Sequence, residues 1–379
     1  MNAQKPQITG LSGNELYCLA LRRLEGGPLV VGNSVHSLGF LGGLGGMFKT
    51  VFGGEVAEVT EIISDGRRAS FKRMMDEANQ HGALGVTGVT SDLRHFAGNI
   101  EFLSVGSCVR KTDQTDPSLE KFATNGSAQA LFCLLDAGYH PRAHAFGNVA
   151  YSVGIGGGLL GSLKTMTRGE VKEFSDVFNK TRHLALARIV ADAKKAGGNC
   201  VLGIDTTVNP FQGAHEMVMR GTAAFHPQLA ATPGEAVATS DLTCEELWNL
   251  TAMGYAPVKL LLSTAVYSLG IAGGLKSMFK SFVRGEISDL TTLIHDAREH
   301  ALGMMTSEAA SLGAERVVGV KTHIHELGSL VEFLAIGTAV KKVPGFKPIS
   351  PQLPPQAIMV DRETWISSDY FDFGTTDSK

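Results

Sequence analysis

Three kinds of charged side chain recur at a fixed spacing, and with them this chain could form ion pairs or bind an anion. Each arginine lies 12 residues after a Gly-Glu pair on a predicted long helix, and each glutamate lies 13 residues after a strand glycine. Each lysine lies in a Gly-rich segment that precedes the helix. The sets are Arg67, Arg182 and Arg298; Glu101, Glu216 and Glu332; and Lys49, Lys164 and Lys280. A guanidinium with a carboxylate predicts an ion pair that joins helix to sheet or one subunit to the next, whereas Arg with Lys at a Gly-rich helix start would bind an anion.

Two histidines of the third copy of this pattern could begin a metal site. His323 and His325 are two residues apart on a predicted strand, so both side chains face the same side. The other two copies have no histidine at the corresponding positions, which excludes a metal site shared by all copies. A divalent metal ion is therefore a cofactor hypothesis for the third copy alone or for a contact between chains.

No repeated arrangement of side chains predicts catalysis. Neither a Ser-His-Asp nor a Cys-His combination recurs, and no pair of carboxylates suited to acid–base chemistry is kept. The Gly-rich segments are similar to phosphate-binding loops, but the Walker pattern requires glycine before the lysine. Phe48, Leu163 and Phe279 stand there instead. We therefore expect a protein that is not an enzyme.

The Gly-rich segment of the first copy has an alternative interpretation. It is similar to interfacial amphipathic peptides, with apolar residues on one side and isolated lysines on the other. The apolar residues are Phe40, Leu41, Leu44, Met47 and Phe48. If they are exposed, they would attach the protein to a membrane surface. The short, glycine-rich run favours the other outcome, in which they pack in a domain core or subunit interface.

The recurring groups are positioned by one domain that is written three times. Four glycines occur at matching positions in every copy. The shifts between copies are 115 and then 116 residues (203−88 and 319−203). The glycines are Gly39, Gly154 and Gly270; Gly88, Gly203 and Gly319; and Gly106, Gly221 and Gly337, with Gly-Glu pairs that end at Glu55, Glu170 and Glu286. Solenoid units have periods of roughly 20–50 residues, so each copy should be a compact domain. We place the domains at 1–114, 115–234 and 235–342, followed by a Pro-rich, acidic-aromatic tail at 343–379.

Each copy predicts an α+β domain of the order β–α–β–β with a short helix in front. In the third copy Thr243 and Glu246 form a capping box for that helix, and its Trp248 should lie in the core, as should Tyr17 and Phe132 in the other copies. A right-handed helical crossover should make the first two long strands parallel, and the last two should form an antiparallel hairpin. The result is a small three-stranded sheet covered by helices. Its open face and edges favour self-association into homo-oligomers.

The composition indicates a soluble, cytoplasmic protein. The net charge is −3 without a long basic run, so no nucleic-acid partner is expected. The five cysteines lack CxxC spacing and are odd in number, which favours reduced thiols. The N-terminal residues lack the apolar stretch of a signal peptide, and no run approaches the ~20 apolar residues of a membrane span.

The tail combines proline residues with aromatic and acidic ones. One interpretation is a disordered segment. The other is a tail that docks on its own ring or on a protein partner through Trp365, Tyr370 and Phe371, because large aromatic side chains rarely stay solvated.

Several motifs of the third copy resemble those of the YbjQ family, small bacterial proteins that carry a heavy-metal-binding label. They are Ala297-Arg298-Glu299, the run Gly313-Ala314-Glu315-Arg316-Val317-Val318-Gly319-Val320, and Gly337-Thr338-Ala339-Val340. Lys280, shortly before the Arg284-Gly285 pair, adds to the likeness. The resemblance implies an α/β fold that assembles into rings, described as pentameric for single-domain members. It does not transfer functional residues.

Overall fold

A computed structural model of the chain describes residues 6–37, 54–96, 99–152, 169–211, 214–229, 237–268, 288–327, 330–354 and 357. Several predicted features lie outside these residues. They are the Gly-rich segments with Lys49, Lys164 and Lys280, the apolar residues Phe40, Leu41, Leu44, Met47 and Phe48, and the tail aromatics Trp365, Tyr370 and Phe371.

The helices and the long strands follow the same order in all three repeats. The first repeat contains α1 (Gly13–Leu21), β1 (Leu24–Ser37), β2 (Gly54–Glu55), α2 (Ala57–Gln80), β3 (Gly85–Phe96) and β4 (Asn99–Lys111). The second contains β5 (Phe122–Ala123), α3 (Ala128–Asp136), β6 (His140–Ser152), β7 (Gly169–Glu170), α4 (Lys172–Lys195), β8 (Cys200–Phe211) and β9 (Ala214–Phe225). The third contains β10 (Ala238–Thr239), α5 (Cys244–Ala252), β11 (Tyr255–Ser268), α6 (Ser288–Ser311), β12 (Arg316–Leu327) and β13 (Leu330–Lys342). The predicted α+β class is confirmed.

Each short leading helix begins at a Ser or Thr residue whose side chain caps the helix N-terminus. Ser12 and Glu15 form a capping box at α1, and Thr243 and Glu246 form one at α5. At α3, the hydroxyl of Ser127 accepts a hydrogen bond from a backbone N–H of the first turn. The predicted capping box of the third repeat is thus present.

Each repeat has a sheet core of three long strands with the last strand in the middle. In the first repeat the order is β1-β4-β3, and β4 is antiparallel to both neighbours. The first two long strands therefore run in the same direction, as the crossover argument predicts, although β4 separates them. The last two form the predicted antiparallel hairpin.

Two-residue strands from adjacent repeats extend these sheets. From the first repeat, β2 adds to β6 of the second, and from the second repeat β7 adds to β11 of the third. In the opposite direction, β5 pairs in parallel with β3, and β10 pairs in parallel with β8. At each junction a neighbouring repeat therefore adds a strand to the sheet edge and pairs backbone groups that an open edge would leave unpaired.

Each repeat has a glycine bulge in its second long strand, and at the two internal junctions this bulge directs a backbone N–H toward the next repeat. The glycines are Gly88, Gly203 and Gly319, with φ of +65°, +59° and +63°. This left-handed conformation favours glycine and interrupts the strand register. Just after the bulge, Val89 N donates to Thr124 O at 3.0 Å, and Ile204 N donates to Ser240 O at 2.9 Å.

The long helices of the first two repeats lie between two sheets. Helix α2 contacts β1 and β4 of its own sheet and β6 of the next, and α4 contacts β6 and β9 as well as β11. One buried cluster runs from Phe174 and Ile189 on α4 to Leu260 and Val266 on β11. The hydrophobic core is thus continuous across the second junction, and burial of this shared apolar surface stabilises neighbouring repeats together.

The leading helices form a second layer, in which α3 lies between α1 and α5. Cys18, Cys133 and Cys244 are buried free thiols in this layer. The described start of the tail packs on the same side, where Phe346 is buried against the rings of Tyr139 and His226.

Candidate functional site: the junctions between repeats

At the first junction, the recurring arginine of one repeat pairs with the recurring glutamate of the next. Arg67 on α2 donates to Glu216 on β9 through Nε–Oε1 at 3.2 Å and Nη2–Oε2 at 2.8 Å. Its Nη1 donates to the carbonyl and hydroxyl oxygens of Ser91 at 2.9 and 3.3 Å. Both charged side chains are buried, so a bidentate, desolvated ion pair joins the two repeats.

The second junction contains the same pair one repeat further on. Arg182 on α4 contacts the carboxylate of Glu332 on β13, and both side chains are buried. The hydroxyl of Thr264 donates to Glu332 Oε1 at 3.5 Å, and the ring of Phe178 lies 5.3 Å from the guanidinium carbon. At both junctions the recurring pair therefore connects the long helix of one repeat to the sheet of the next repeat in the same chain.

A hydroxyl in the first turn of α2, and another in the first turn of α4, binds the first long strand of the following repeat. Thr60 Oγ1 accepts a hydrogen bond from Ala150 N at 2.9 Å, and Ser175 Oγ accepts one from Val266 N at 2.9 Å. A backbone N–H at the helix start donates to the carbonyl of the same strand residue in both cases. The two junctions are therefore built to one plan.

A buried histidine distinguishes the first junction. His144 lies 5.5 Å from the ring of Phe71, and among the described residues neither of its ring nitrogens has a hydrogen-bond partner. Burial is the main cause that lowers its pKa from 6.5 to about 3, and the charges of Arg220 and Arg67 contribute. The other two repeats have leucine here, so the histidine is not required by the shared plan.

A cleft of about 210 Å³ opens at the first junction and is lined by three arginines. They are Arg67, Arg94 and Arg220, which pair with Glu216, Asp92 and Asp205. Since each guanidinium has a carboxylate partner, the cleft lacks the excess positive charge that favours an anion. Anion binding by the arginines and lysines stays a prediction, because the three lysines lie outside the described residues.

The third arginine and the first glutamate lie at opposite ends of the series of repeats. Arg298 on α6 is exposed, with its guanidinium carbon 5.7 Å from the ring of Phe333, and Glu101 on β4 is half-buried. Within the described ranges neither one has an ion-pair partner. The Arg–Glu contact therefore joins repeats one to two and two to three, and it does not join three to one.

The two predicted metal ligands lie side by side on β12. The rings of His323 and His325 are 6.3 Å apart and 9° from parallel. Burial lowers the pKa of both, and it also lowers the pKa of His215 of the second repeat. In the part of the chain that the structure describes, no three His, Cys, Asp or Glu side chains converge as a metal site. Metal binding at these histidines stays a prediction.

Sequence reasoning missed Asp136, a fully buried carboxylate at the end of α3. Its oxygens accept hydrogen bonds from Trp248 Nε1 at 2.7 Å and from Ser350 Oγ and N at 2.7 and 3.2 Å, and it pairs with Arg22. One carboxylate thus connects the leading helices of all three repeats with the start of the tail. The repeat pattern could not identify it, because the corresponding residues of the other repeats are apolar.

Among the described helices, none is both long and apolar enough to cross a lipid bilayer.

Comparison with known proteins identifies the repeated unit. The sequence profile of the YbjQ family, described as "Putative heavy-metal-binding", matches residues 24–111, 141–226 and 255–343. An encapsulin nanocompartment protein of Mycobacterium tuberculosis is 29% identical over 233 residues, which cover 59% of this chain and 87% of the relative. UPF0145 proteins of Bradyrhizobium sp. and Saccharolobus islandicus are 36% and 38% identical over 90 and 95 residues, which cover 23% and 24% of this chain and 81% and 83% of the relatives. Because the three matches cover more than half of its length, the chain belongs to the YbjQ family and contains three copies of its domain.

Proposed function

We propose that this protein is a non-catalytic, ring-forming protein that assembles with further copies of itself. We call the surface with which a repeat meets the preceding repeat its leading face, and the surface with which it meets the following repeat its trailing face. The proposal is carried by one observation. Positions that are buried at the internal junctions are exposed on the leading face of the first repeat and on the trailing face of the third.

The aromatic residue of the leading helix illustrates the difference on the leading face. Phe132 and Trp248 are each 5% exposed, whereas Tyr17 in the first repeat is 49% exposed. The prediction that this aromatic lies in the core of every domain is thus wrong for Tyr17. In the other repeats the leading helix of the preceding repeat lies against the aromatic, and within the described residues no such helix lies against Tyr17.

The residue after the strand bulge illustrates the difference on the trailing face. Val89 and Ile204 are 3% and 4% exposed, because the start of the next repeat covers them, whereas Val320 is 44% exposed. Ile324 on the same strand is exposed as well. Solvent-exposed apolar side chains that recur at interface positions favour a further protein contact.

The relatives support an assembling role. One of them is named as a nanocompartment protein. No repeated catalytic arrangement stands in the sequence, and the recurring charged residues at the two internal junctions are engaged with each other. These observations favour a structural role over catalysis.

Native mass spectrometry of the freshly purified full chain, over a dilution series at micromolar concentrations, tests the proposal. We expect discrete oligomers of whole chains. A closed ring of whole chains contains a multiple of three repeats, so the mass also gives the ring size. A monomer mass at every concentration would overturn the proposal.

A divalent metal ion at His323 and His325 is a secondary proposal. It is supported by the stacked imidazoles and by their lowered pKa values, because the neutral ring is the form that binds metals. Calorimetric titration with zinc tests it, and we expect binding that disappears in the His323→Ala, His325→Ala double variant. Equal binding by the parent and the variant would exclude this site.

A further inference from the structure

We propose that the copies join head to tail, so that the trailing face of the third repeat binds the leading face of the first repeat in a second copy, with Arg298 of one chain paired to Glu101 of the next. This inference rests on the proposed self-assembly and specifies its interface. Three independent features of the two faces support it: the charged pair, a strand edge and the apolar positions.

The charged pair is the most specific of the three features. At each internal junction the arginine of one repeat reaches the glutamate of the following repeat, and both become buried. The only members of the two sets that the internal junctions leave over are Arg298, on the trailing face, and Glu101, on the leading face. They have opposite charge, and the next step of the series would bring them together.

The second feature is the strand edge on the trailing face of the third repeat, to which no strand adds in the described part of the chain. At the internal junctions a short segment adds in parallel to the edge of the preceding sheet, with Thr124 N donating to Val86 O at 2.9 Å and Ser240 N donating to Val201 O at 3.0 Å. On the trailing face of the third repeat the corresponding edge lies at Val317, which is only half-buried, whereas Val86 and Val201 are fully buried.

The segment that would complete this edge begins the first repeat. Ile8 occupies the position of Ala123 and Thr239 (123−115 and 239−231), and it is 76% exposed where the others are 2% and 0% exposed. Addition of this segment to the edge at Val317 in another copy would reproduce the internal pairing.

The third feature is a set of apolar side chains that are exposed on the outer faces and buried at the internal junctions. Val31 and Val35 on the leading face are exposed, while their counterparts on β6 and β11 are buried against the long helix of the preceding repeat. On the trailing face, the main described contacts of α6 are with β11, β12 and β13 of its own repeat, and no following repeat covers its other side within the described residues. The contact is heterologous because the two faces differ, so it builds a ring or a filament and not a two-fold dimer.

Charge reversal tests the pairing in the full chain. Arg298→Glu and Glu101→Arg should each weaken self-association by about 100-fold, because each brings like charges together in a desolvated contact. An equimolar mixture of the two variants should recover most of the assembly, since every contact in an alternating series then has opposite charges. The readout is the oligomer distribution from light scattering and native mass spectrometry.

A matched variant controls for the change in charge. Lys194→Glu reverses an exposed charge on the second repeat, which presents neither outer face, and should leave the assembly unchanged. Unaltered thermal unfolding of every variant, measured by circular dichroism, shows that the fold is intact. Arg298 and Glu101 are not fully buried, so their substitution spares the core.

The outcomes separate this inference from the proposed function. A parent that stays monomeric contradicts the self-assembly itself. A parent that assembles, with Arg298→Glu assembling equally well, overturns the head-to-tail pairing alone. If both variants lose assembly and their mixture does not recover it, a direct contact between Arg298 and Glu101 is contradicted. A parent that stays monomeric while a chain without residues 358–379 assembles would identify the tail as the occupant of an outer face in the full chain, and it would overturn docking by a second copy in the full chain.

Discussion

The two internal junctions share one ion pair and differ in the side chains around it. At the first junction Asn148 Nδ2 donates to Thr60 O at 3.2 Å and to Glu216 Oε1 at 3.4 Å, and His144 lies nearby. At the second junction the corresponding residues are Thr264 and Leu260, and both are buried.

This difference separates the requirements of the joint from its variable parts. An arginine, a glutamate and a hydroxyl at the helix start are present at both junctions, so they are what the architecture needs. The neighbouring positions accept a polar or an apolar side chain. Substitutions that convert one junction into the other can test this division.

The largest effect is expected from Glu216→Leu. It leaves the buried Arg67 without its carboxylate, and such a loss typically destabilises a protein by about 3–5 kcal/mol. Urea denaturation followed by circular dichroism measures it. The double variant Arg67→Met, Glu216→Leu should recover most of the loss, because no buried charge remains. The control is Glu101→Leu in the dilute chain, which should change stability by no more than about 0.5 kcal/mol. Equal loss for both glutamates would refute the distinction between a closed junction and an open end.

His144→Leu should stabilise the first junction by about 1–3 kcal/mol, because it replaces a buried imidazole without partners by the residue that the other repeats have. The effect should depend on pH. The pKa of His144 is lowered in the fold, so its contribution to stability is fully present above pH 6.5 and declines as the pH falls toward 3.

Acid denaturation checks this dependence. The parent should lose about 1.4 kcal/mol per pH unit through His144 between pH 6 and 4, and the leucine variant should not. His226, whose pKa burial lowers to about 4, remains as a common background in both proteins. Identical acid profiles of the parent and the variant would show that His144 takes up no proton on unfolding.

Asn148→Thr should have a smaller effect, a loss of about 1 kcal/mol. The variant gives up the amide hydrogen bond to the carbonyl of Thr60 and keeps a hydroxyl near Glu216, as Thr264 does near Glu332. Urea denaturation of the single variant and of the variant combined with His144→Leu measures it. A loss above 3 kcal/mol would mean that this position belongs to the required part of the joint.

The smallest effect is expected for an ion pair that belongs to no junction. Lys72 and Asp76 are 2.7 Å apart on the surface of α2, and both side chains are exposed. Lys72→Ala should change stability by no more than about 0.5 kcal/mol, because exposed pairs of this kind contribute little. Urea denaturation measures the change. A loss of stability as large as that of Glu216→Leu would show that burial does not explain why the two ion pairs contribute differently.

Much of the fold follows from the sequence because the three copies serve as controls for one another. The capping residues Thr243 and Glu246 and the spacing of the glycines are local signals, and the structure contains the helices and strands that they predict. The short strands that cross between repeats were not foreseen. Two residues such as Phe122 and Ala123 form a strand only because the edge of a neighbouring sheet is in place.

The recurring Arg and Glu were recognisable from the sequence, but their partners were not. A contact of Arg67 with Glu101 in its own repeat and one with Glu216 in the next predict the same recurrence, since every copy has both residues at the same positions. Only the three-dimensional arrangement distinguishes them. The buried roles of Asp136 and His144 could not be predicted for the opposite reason, because each residue occurs in one repeat only.

The fusion of three repeats in one chain has a consequence for how an assembly would come apart. Joining separate molecules costs translational and rotational entropy. In this chain two of every three joints do not have this cost, because the repeats that they connect are already tethered in one chain. Dilution therefore acts on the remaining joint alone. Dissociation should release whole chains with both internal joints intact, so the affinity between chains can be tuned by substitution at one interface without loosening the other two.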